Sequence, residues 1–318
     1  MEAALVQRVT TRAMLEHLLK IFREMSRITN GDWPRAFVFL SIEAANWEHV
    51  ARQRGQTHSG ASDTDRARPV SRLGLSESLR LPRESVRRVV AELIELGLCE
   101  ADDAGVVVSS SSFAEARLKR GRQHIYRSLL QTITELEKLG LRARCPTGQV
   151  LRQGALREII AKRDPASVYR TALYYASMIC ANEKDNYPSF FTAMLFNTIM
   201  VLNVRHITFD ISKARQYGGA AAPPPDTERL PARLTEVAAM MGISAESCRR
   251  HLVVLENAGL CVRSDGGVII PTSALQRPEL LASGRRVHLW TMQLISCLSG
   301  SSLEWRDPID ISPQAEAS

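Results

Sequence analysis

Two short runs of this chain bring together residue types that recognise nucleic acid. Arg83, Glu84, Ser85, Arg87 and Arg88 form one run, and Ser244, Glu246, Ser247, Arg249 and Arg250 form the other. An arginine can donate two parallel bonds to O6 and N7 of guanine, a glutamate can accept from N4 of cytosine, and further arginines and hydroxyls suit phosphate oxygens. Such groups need a rigid support that presents them on one side. In the first run Val86, Val90 and Leu93 share the opposite face, and in the second Cys248, Leu252, Leu255 and Ala258 do so. Spacing of three to four predicts an amphipathic helix in each case, with its charges outward. Glu84 with Arg88, and Glu246 with Arg250, are also spaced as i to i+4 surface ion pairs, each contributing roughly 0.3–0.5 kcal/mol with no ligand present. The reading as a contact surface rests on the same face occurring twice.

The two runs belong to an internal repeat. A shift of 162 positions (259 − 97) places Gly97-Leu98-Cys99 on Gly259-Leu260-Cys261, and residues 84–106 share 11 identities in 23 ungapped positions with residues 246–268. Self-similarity on this scale points to a duplicated unit. Asp32-Trp33-Pro34 matches Asn186-Tyr187-Pro188 at a shift of 154 (186 − 32), so eight residues are gained between the two blocks. They are assigned to the loop from Gln216 to Pro231, the counterpart of the polar loop from Gly55 to Pro69, and both loops read as flexible. Gly121-Arg122 and His124 match Gly284-Arg285 and His288 further on. Each unit then reads as an opening helix (3–27; 165–183), a helix introduced by proline (34–53; 188–205), the shared block and a closing helix (113–139; 274–298). Pro146 to Lys162 is expected to be a connecting helix.

Within the second block, Leu234 to Met241 predicts a short helix closed by Gly242, a residue that accepts the left-handed conformation of a tight turn. Ser244 is a good N-cap for the next helix, which Gly259 closes. Val262-Arg263, a Gly266-Gly267 turn and Val268-Ile269-Ile270 then predict a hairpin. This order resembles the winged helix-turn-helix of bacterial transcriptional regulators, above all the DNA-binding domain of the cyclic-AMP receptor type, through Ala238, Gly242, Ile243, Ser244, Glu246, Arg250, Leu255, Gly259 and Leu260. The resemblance covers about 40 residues in each half. It implies that the second helix of each block enters the major groove, with Arg83, Glu84 and Arg88 in the first copy and Glu246 and Arg250 in the second as contacts. Ala245 stands where the resemblance calls for a leading arginine. Neither half shows the glycine-rich pattern of a cyclic-nucleotide domain, so that effector is not carried over.

The copies differ. Arg80 occupies the turn position of Gly242, where a left-handed non-glycine residue costs roughly 1 kcal/mol, so a different turn is expected there. The first hairpin carries Glu100, Asp102 and Asp103, which would repel phosphates, whereas Arg263 and Ser264 on the second favour them.

Composition sets bounds around this reading. Hydrophobic residues at 45% and charged residues at 24% describe a packed protein, and few aromatics with frequent three-to-four spacing favour helices. A net charge of +7 suits a polyanionic partner. Six scattered cysteines show no metal-ligand spacing and no disulfide framework. No nucleotide-binding loop, nucleophile elbow or zinc-protease motif is present, so no catalytic site, cofactor or metal is expected. Trp33, Trp47, His124 and His288 are expected on packed faces. Charges in residues 1–22 exclude a signal peptide, and Phe190 to Val204 reads as too short to span a bilayer. A cytoplasmic, nucleoid-associated protein follows.

The expectation is a mainly α protein in two helical units, 1–140 and 163–318, with winged helices at about 70–110 and 230–272 and a connector at 141–162. Its expected partner is double-stranded DNA, with no membrane, an unspecified small-molecule effector, and long helices that leave room for a homodimer. The leading function is transcriptional regulation; a plasmid-type replication initiator and a protein-interaction module are the alternatives.

Overall fold

The computed structural model describes residues 6–31, 33–53, 67–184, 186–219 and 223–306. The chain opens with α1 (Gln7–Ile28), α2 (Trp33–Gln53), α3 (Arg72–Leu79), α4 (Arg83–Glu95), β1 (Cys99–Asp102), β2 (Gly105–Val108), α5 (Ser112–Lys138) and β3 (Leu141–Arg144). A short α6 (Ala155–Ala161) leads to α7 (Pro165–Lys184), α8 (Phe190–Thr208), α9 (Ile211–Gln216), α10 (Leu234–Met241) and α11 (Ala245–Asn257). The chain continues through β4 (Val262–Ser264), β5 (Gly267–Ile269), α12 (Thr272–Leu275), α13 (Pro278–Ser299) and β6 (Ser302–Trp305). The fold is mainly α. Its second half follows the element order of the first, with the short helices α9 and α12 added.

Most helices fall close to where periodicity places them, and the departures have local causes. The expected connecting helix is reduced to α6, because the chain after β3 folds back on itself: Val150 bridges Arg144, and Gly148 and Gly154 are left-handed. The closing helix of the second half starts at Pro278, after the separate turn α12. Residues 54–66 of the polar loop lie outside the described residues, as do residues 1–5, 32, 185, 220–222 and 307–318. The loop expected from Gln216 to Pro231 contains a 3₁₀ turn, Asp226–Glu228, and the buried Arg229.

Buried apolar residues form one contiguous cluster from Val6 to Trp305. The two halves interlock within it. Helix α1 packs against α5 of its own half and against α8 and α13 of the other, while α2 packs against α7. Gly121 on α5 permits close approach to α1, since a Cβ there would lie 2.7 Å from Ile28 Cδ1. Aromatic rings fill the junction: Phe37 stacks on Phe190 at 3.9 Å between centroids, and Phe22 contacts Phe190 at 4.9 Å. Glu43 of α2, 1% exposed, accepts from Arg122 of α5 at 2.9 Å and from the Tyr169 hydroxyl of α7 at 2.7 Å. A buried carboxylate held this way is costly to isolate.

Strands β3 and β6 were not anticipated. They pair antiparallel, Leu141 opposite Trp305 and Arg144 opposite Ser302, and join the ends of the two halves. Helix α8 also runs four residues beyond Val204, which makes it long and apolar enough to cross a membrane, but 78% of that stretch is buried inside the protein. It is the core helix of the second half.

Candidate nucleic-acid interface

Each half contains a helix, a turn, a second helix and a hairpin. In the second half Gly242 closes α10 in a left-handed conformation (φ 71, ψ 35), and Ile243 N donates to Ala238 O at 3.0 Å. Arg80 takes the same conformation (φ 48, ψ 41), and Leu81 N donates to Ser76 O at 3.1 Å. The expectation of a different first turn is therefore corrected. Ser76 Oγ donates to Leu81 O at 2.7 Å and holds the chain in this shape despite the side chain at position 80.

The following helices start differently. Ser244 caps α11 by accepting from Ser247 N at 3.1 Å, whereas α4 begins after Pro82 with no side-chain cap. Both are held by a wholly apolar inner face: Val86, Val90 and Leu93 in α4, and Cys248, Leu252 and Leu255 in α11, each at most 1% exposed. Burying one such side chain contributes about 1.5–3 kcal/mol. The outer face then carries the charges. Arg83, Glu84, Arg87 and Arg88 are exposed on α4, and Glu246, Arg249 and Arg250 on α11, with Ser85 and Ser247 half-buried at the margin.

The ion pairs along these faces are not those expected. Arg87 pairs with Glu84 at 2.6 Å and Arg249 pairs with Glu246, both at i to i+3. Arg87 also holds the Glu84 carboxyl below its usual range, first through their hydrogen bond. Arg88 leans towards Glu92 at 3.9 Å, and Glu92 is shared with Arg35 of α2 at 2.9 Å. Among the described residues, Arg83 and Arg250 have no ion-pair partner. They are the two cations of these faces whose donors are uncommitted.

The hairpins flank these helices. Arg263 of β4 is exposed beside α11, and its guanidinium forms an ion pair with Glu256, Nε lying 2.6 Å from Oε1 and Nη2 donating to Oε2 at 3.2 Å. Ser264 lies next to it, also exposed. In the first hairpin Asp102 Oδ1 accepts from Ala104 N and Gly105 N at 2.9 and 3.1 Å, and Glu100 accepts from Ser109 Oγ at 2.5 Å. Those acidic residues build the turn as well as charging it. Ser111 completes the join to the closing helix by capping α5 through Ala114 N.

Two buried asparagines, which motif searching passed over, fasten the hairpins to the helices beneath. Asn46 of α2 donates to Arg68 O and Val106 O and accepts from Val108 N; Asn203 of α8 donates to Leu230 O and Val268 O and accepts from Ile270 N. The matching bridges Val70 to Val106 and Ala232 to Val268 sit beside them. The asparagines lie 157 positions apart (203 − 46), so three of the eight gained residues precede Asn203 and do not fall in the loop from Gln216 to Pro231. A polar side chain recurring inside an apolar helix was the available signal.

The other singled-out residues are less alike. Trp33 is buried and donates from Nε1 to Met241 O at 3.2 Å, which docks the end of α10 on the first half. Trp47 is only half-buried, with the Arg170 guanidinium 3.4 Å from its ring centre. His288 is buried, but His124 is exposed and 3.5 Å from Glu24, so the expected packed face holds for one of the two. Among the described residues, no group of three or more histidine, cysteine, aspartate or glutamate side chains could hold a metal ion.

No known family model, curated protein or solved structure matches this chain.

Proposed function

We propose that the chain is a non-catalytic regulator that binds double-stranded DNA sequence-specifically through two winged helix-turn-helix heads of a duplicated unit. The supporting observation is the pair of outward faces on α4 and α11, where Arg83 and Arg250 stand exposed and uncommitted beside a hairpin. Each face rests on a buried apolar stripe, so its donors are displayed on a rigid helix suited to a major groove. The same turn geometry at Arg80 and Gly242, and the same asparagine bracket at Asn46 and Asn203, support two heads of common origin. Their differences imply two unlike half-sites. The net positive charge supplies attraction to phosphates, and the working place proposed is the nucleoid.

Selection from random duplex DNA, followed by binding at rising salt, tests this reading. One short motif with two unlike halves is expected, with affinity falling steeply as salt rises. Iterated tandem motifs would instead favour an initiator of replication. Absence of any enrichment, with no binding at low salt, would favour a protein-interaction module.

A further inference from the structure

A pocket of about 670 Å³, counting the space open to solvent at its mouth, lies between α1, α8 and α13. Leu15, Phe196, Met200 and Val287 contribute to its apolar wall, and Arg8, Arg12 and Arg229 line it together. Arg12 is 6% exposed and the Arg229 side chain is wholly buried. Arg12 donates from Nη2 to Tyr217 O at 3.3 Å, while Arg229 donates to Asp226 through Nε at 3.2 Å and to Pro224 O through Nη2 at 3.1 Å. The Nη1 atoms of both are buried and have no hydrogen-bond partner among the described residues.

Two guanidinium groups that line one apolar pocket, each with a buried nitrogen left unsatisfied, call for an explanation, because an unpaired buried donor forfeits its hydration. Asp226 offsets one positive charge. The carboxylate that also lines the pocket, Glu183, is already engaged by Asn182, Asn197 and Ser283. Burial, with Arg8 and Arg229 nearby, lowers the pKa of Arg12 to about 9, in keeping with a cation lacking its counterion. A carboxylate supplies two acceptor oxygens for two such donors, and an apolar body would cover the wall residues without stranding hydroxyls against them.

We propose that this pocket binds a small amphipathic organic anion, with its carboxylate at Arg12 and Arg229 and its apolar body against α8 and α13. The proposal does not depend on DNA binding. Titration calorimetry of the full chain with octanoate and phenylacetate, each compared with its matched alcohol and with inorganic phosphate, tests it. At least one carboxylate is expected to bind saturably at millimolar concentration or below, about ten-fold or more tighter than its alcohol or phosphate. Arg12→Met keeps an unbranched side chain, shorter by two atoms, and removes the guanidinium charge, and should erase that preference. If that variant fails to fold, Gly284→Leu serves instead. A Cβ at position 284 meets nothing nearer than Gln7 Nε2 at 3.9 Å, so the longer side chain should narrow the pocket with all three arginines in place and abolish binding. Equal affinity for carboxylate and alcohol, phosphate binding as tight as carboxylate, unchanged affinity in Gly284→Leu, or no saturable binding of either carboxylate would each overturn the proposal.

Discussion

Asn46 and Asn203 hold the two hairpins by the same three hydrogen bonds, two donated to backbone carbonyls and one accepted from a backbone N–H, all between 2.7 and 3.0 Å. Each side chain is fully buried. Each therefore stands where a β-sheet partner would, and closes the hairpin onto the helix that supports it. Replacing either by alanine removes three hydrogen bonds and leaves Val108 N or Ile270 N without its acceptor, although Val106 O and Val268 O still accept from Val70 N and Ala232 N, and should lower stability by about 1–3 kcal/mol in urea unfolding. A loss below about 0.5 kcal/mol in either variant would show that water substitutes freely there, and would remove the argument that the hairpins are rigidly placed.

Arg80 and Gly242 share one backbone conformation but not one cost. Arg80→Gly should stabilise the protein by roughly 0.5–1 kcal/mol, and Gly242→Ala should destabilise it by a similar amount, because only glycine adopts φ near +60 without a Cβ penalty. Thermal unfolding of both variants checks the pair. A loss of stability in Arg80→Gly would mean that the arginine side chain contributes more than its backbone strain costs.

Binding measurements on DNA should separate Arg83, Arg250 and Arg263. Arg83→Ala and Arg250→Ala are expected to relax preference at different half-sites, each by about 1–3 kcal/mol of discrimination. Arg263→Ala should weaken all sequences evenly and flatten the salt slope by about 1. Because Glu256 holds Arg263, Glu256→Gln should have the opposite effect, tightening binding and steepening the slope. Variants that all lose affinity alike, with no change in sequence preference, would refute two separate reading faces.

His17 should make the protein acid-sensitive. It is 1% exposed, its Nδ1 lies 3.0 Å from Ser128 Oγ, and its Nε2 is buried with no partner among the described residues. Burial first, and Lys20 second, lower its pKa from 6.5 to about 3. Above about pH 6.5 the ring is neutral in both folded and unfolded chains. Below it the unfolded chain takes up a proton that the folded chain refuses until about pH 3, so stability falls as pH drops through that window. The slope contributed by one such group approaches about 1.4 kcal/mol per pH unit. Urea unfolding at pH 7 and pH 5 should therefore show a smaller difference in His17→Gln than in the natural chain. Equal pH dependence in the two would mean that the ring is protonated in place.

The amino-acid sequence by itself determined the paired helices and hairpin of each half and the turn of the second, because those elements rest on contacts a few residues apart. Apolar residues every three to four positions orient α4 and α11, Ser244 caps one of them, and Gly242 ends the helix before it, whereas the left-handed Arg80 goes against what its residue type suggests. Sequence also suffices to place the charged face, since whatever opposes a buried stripe must meet water. The tertiary structure alone decided which charges on that face remain uncommitted. Glu84 and Glu246 turn to the arginine three residues on, and Glu92 is drawn towards Arg35 of another helix, choices made by rotamers and packed neighbours. It also decided the pairing of β3 with β6, the interlocking of α1 with α8 and α13, and the meeting of Arg12 with Arg229 in one pocket. Those partners lie more than 100 residues apart, and no local spacing encodes them; they come together only when burial of the whole apolar cluster fixes how the helices cross.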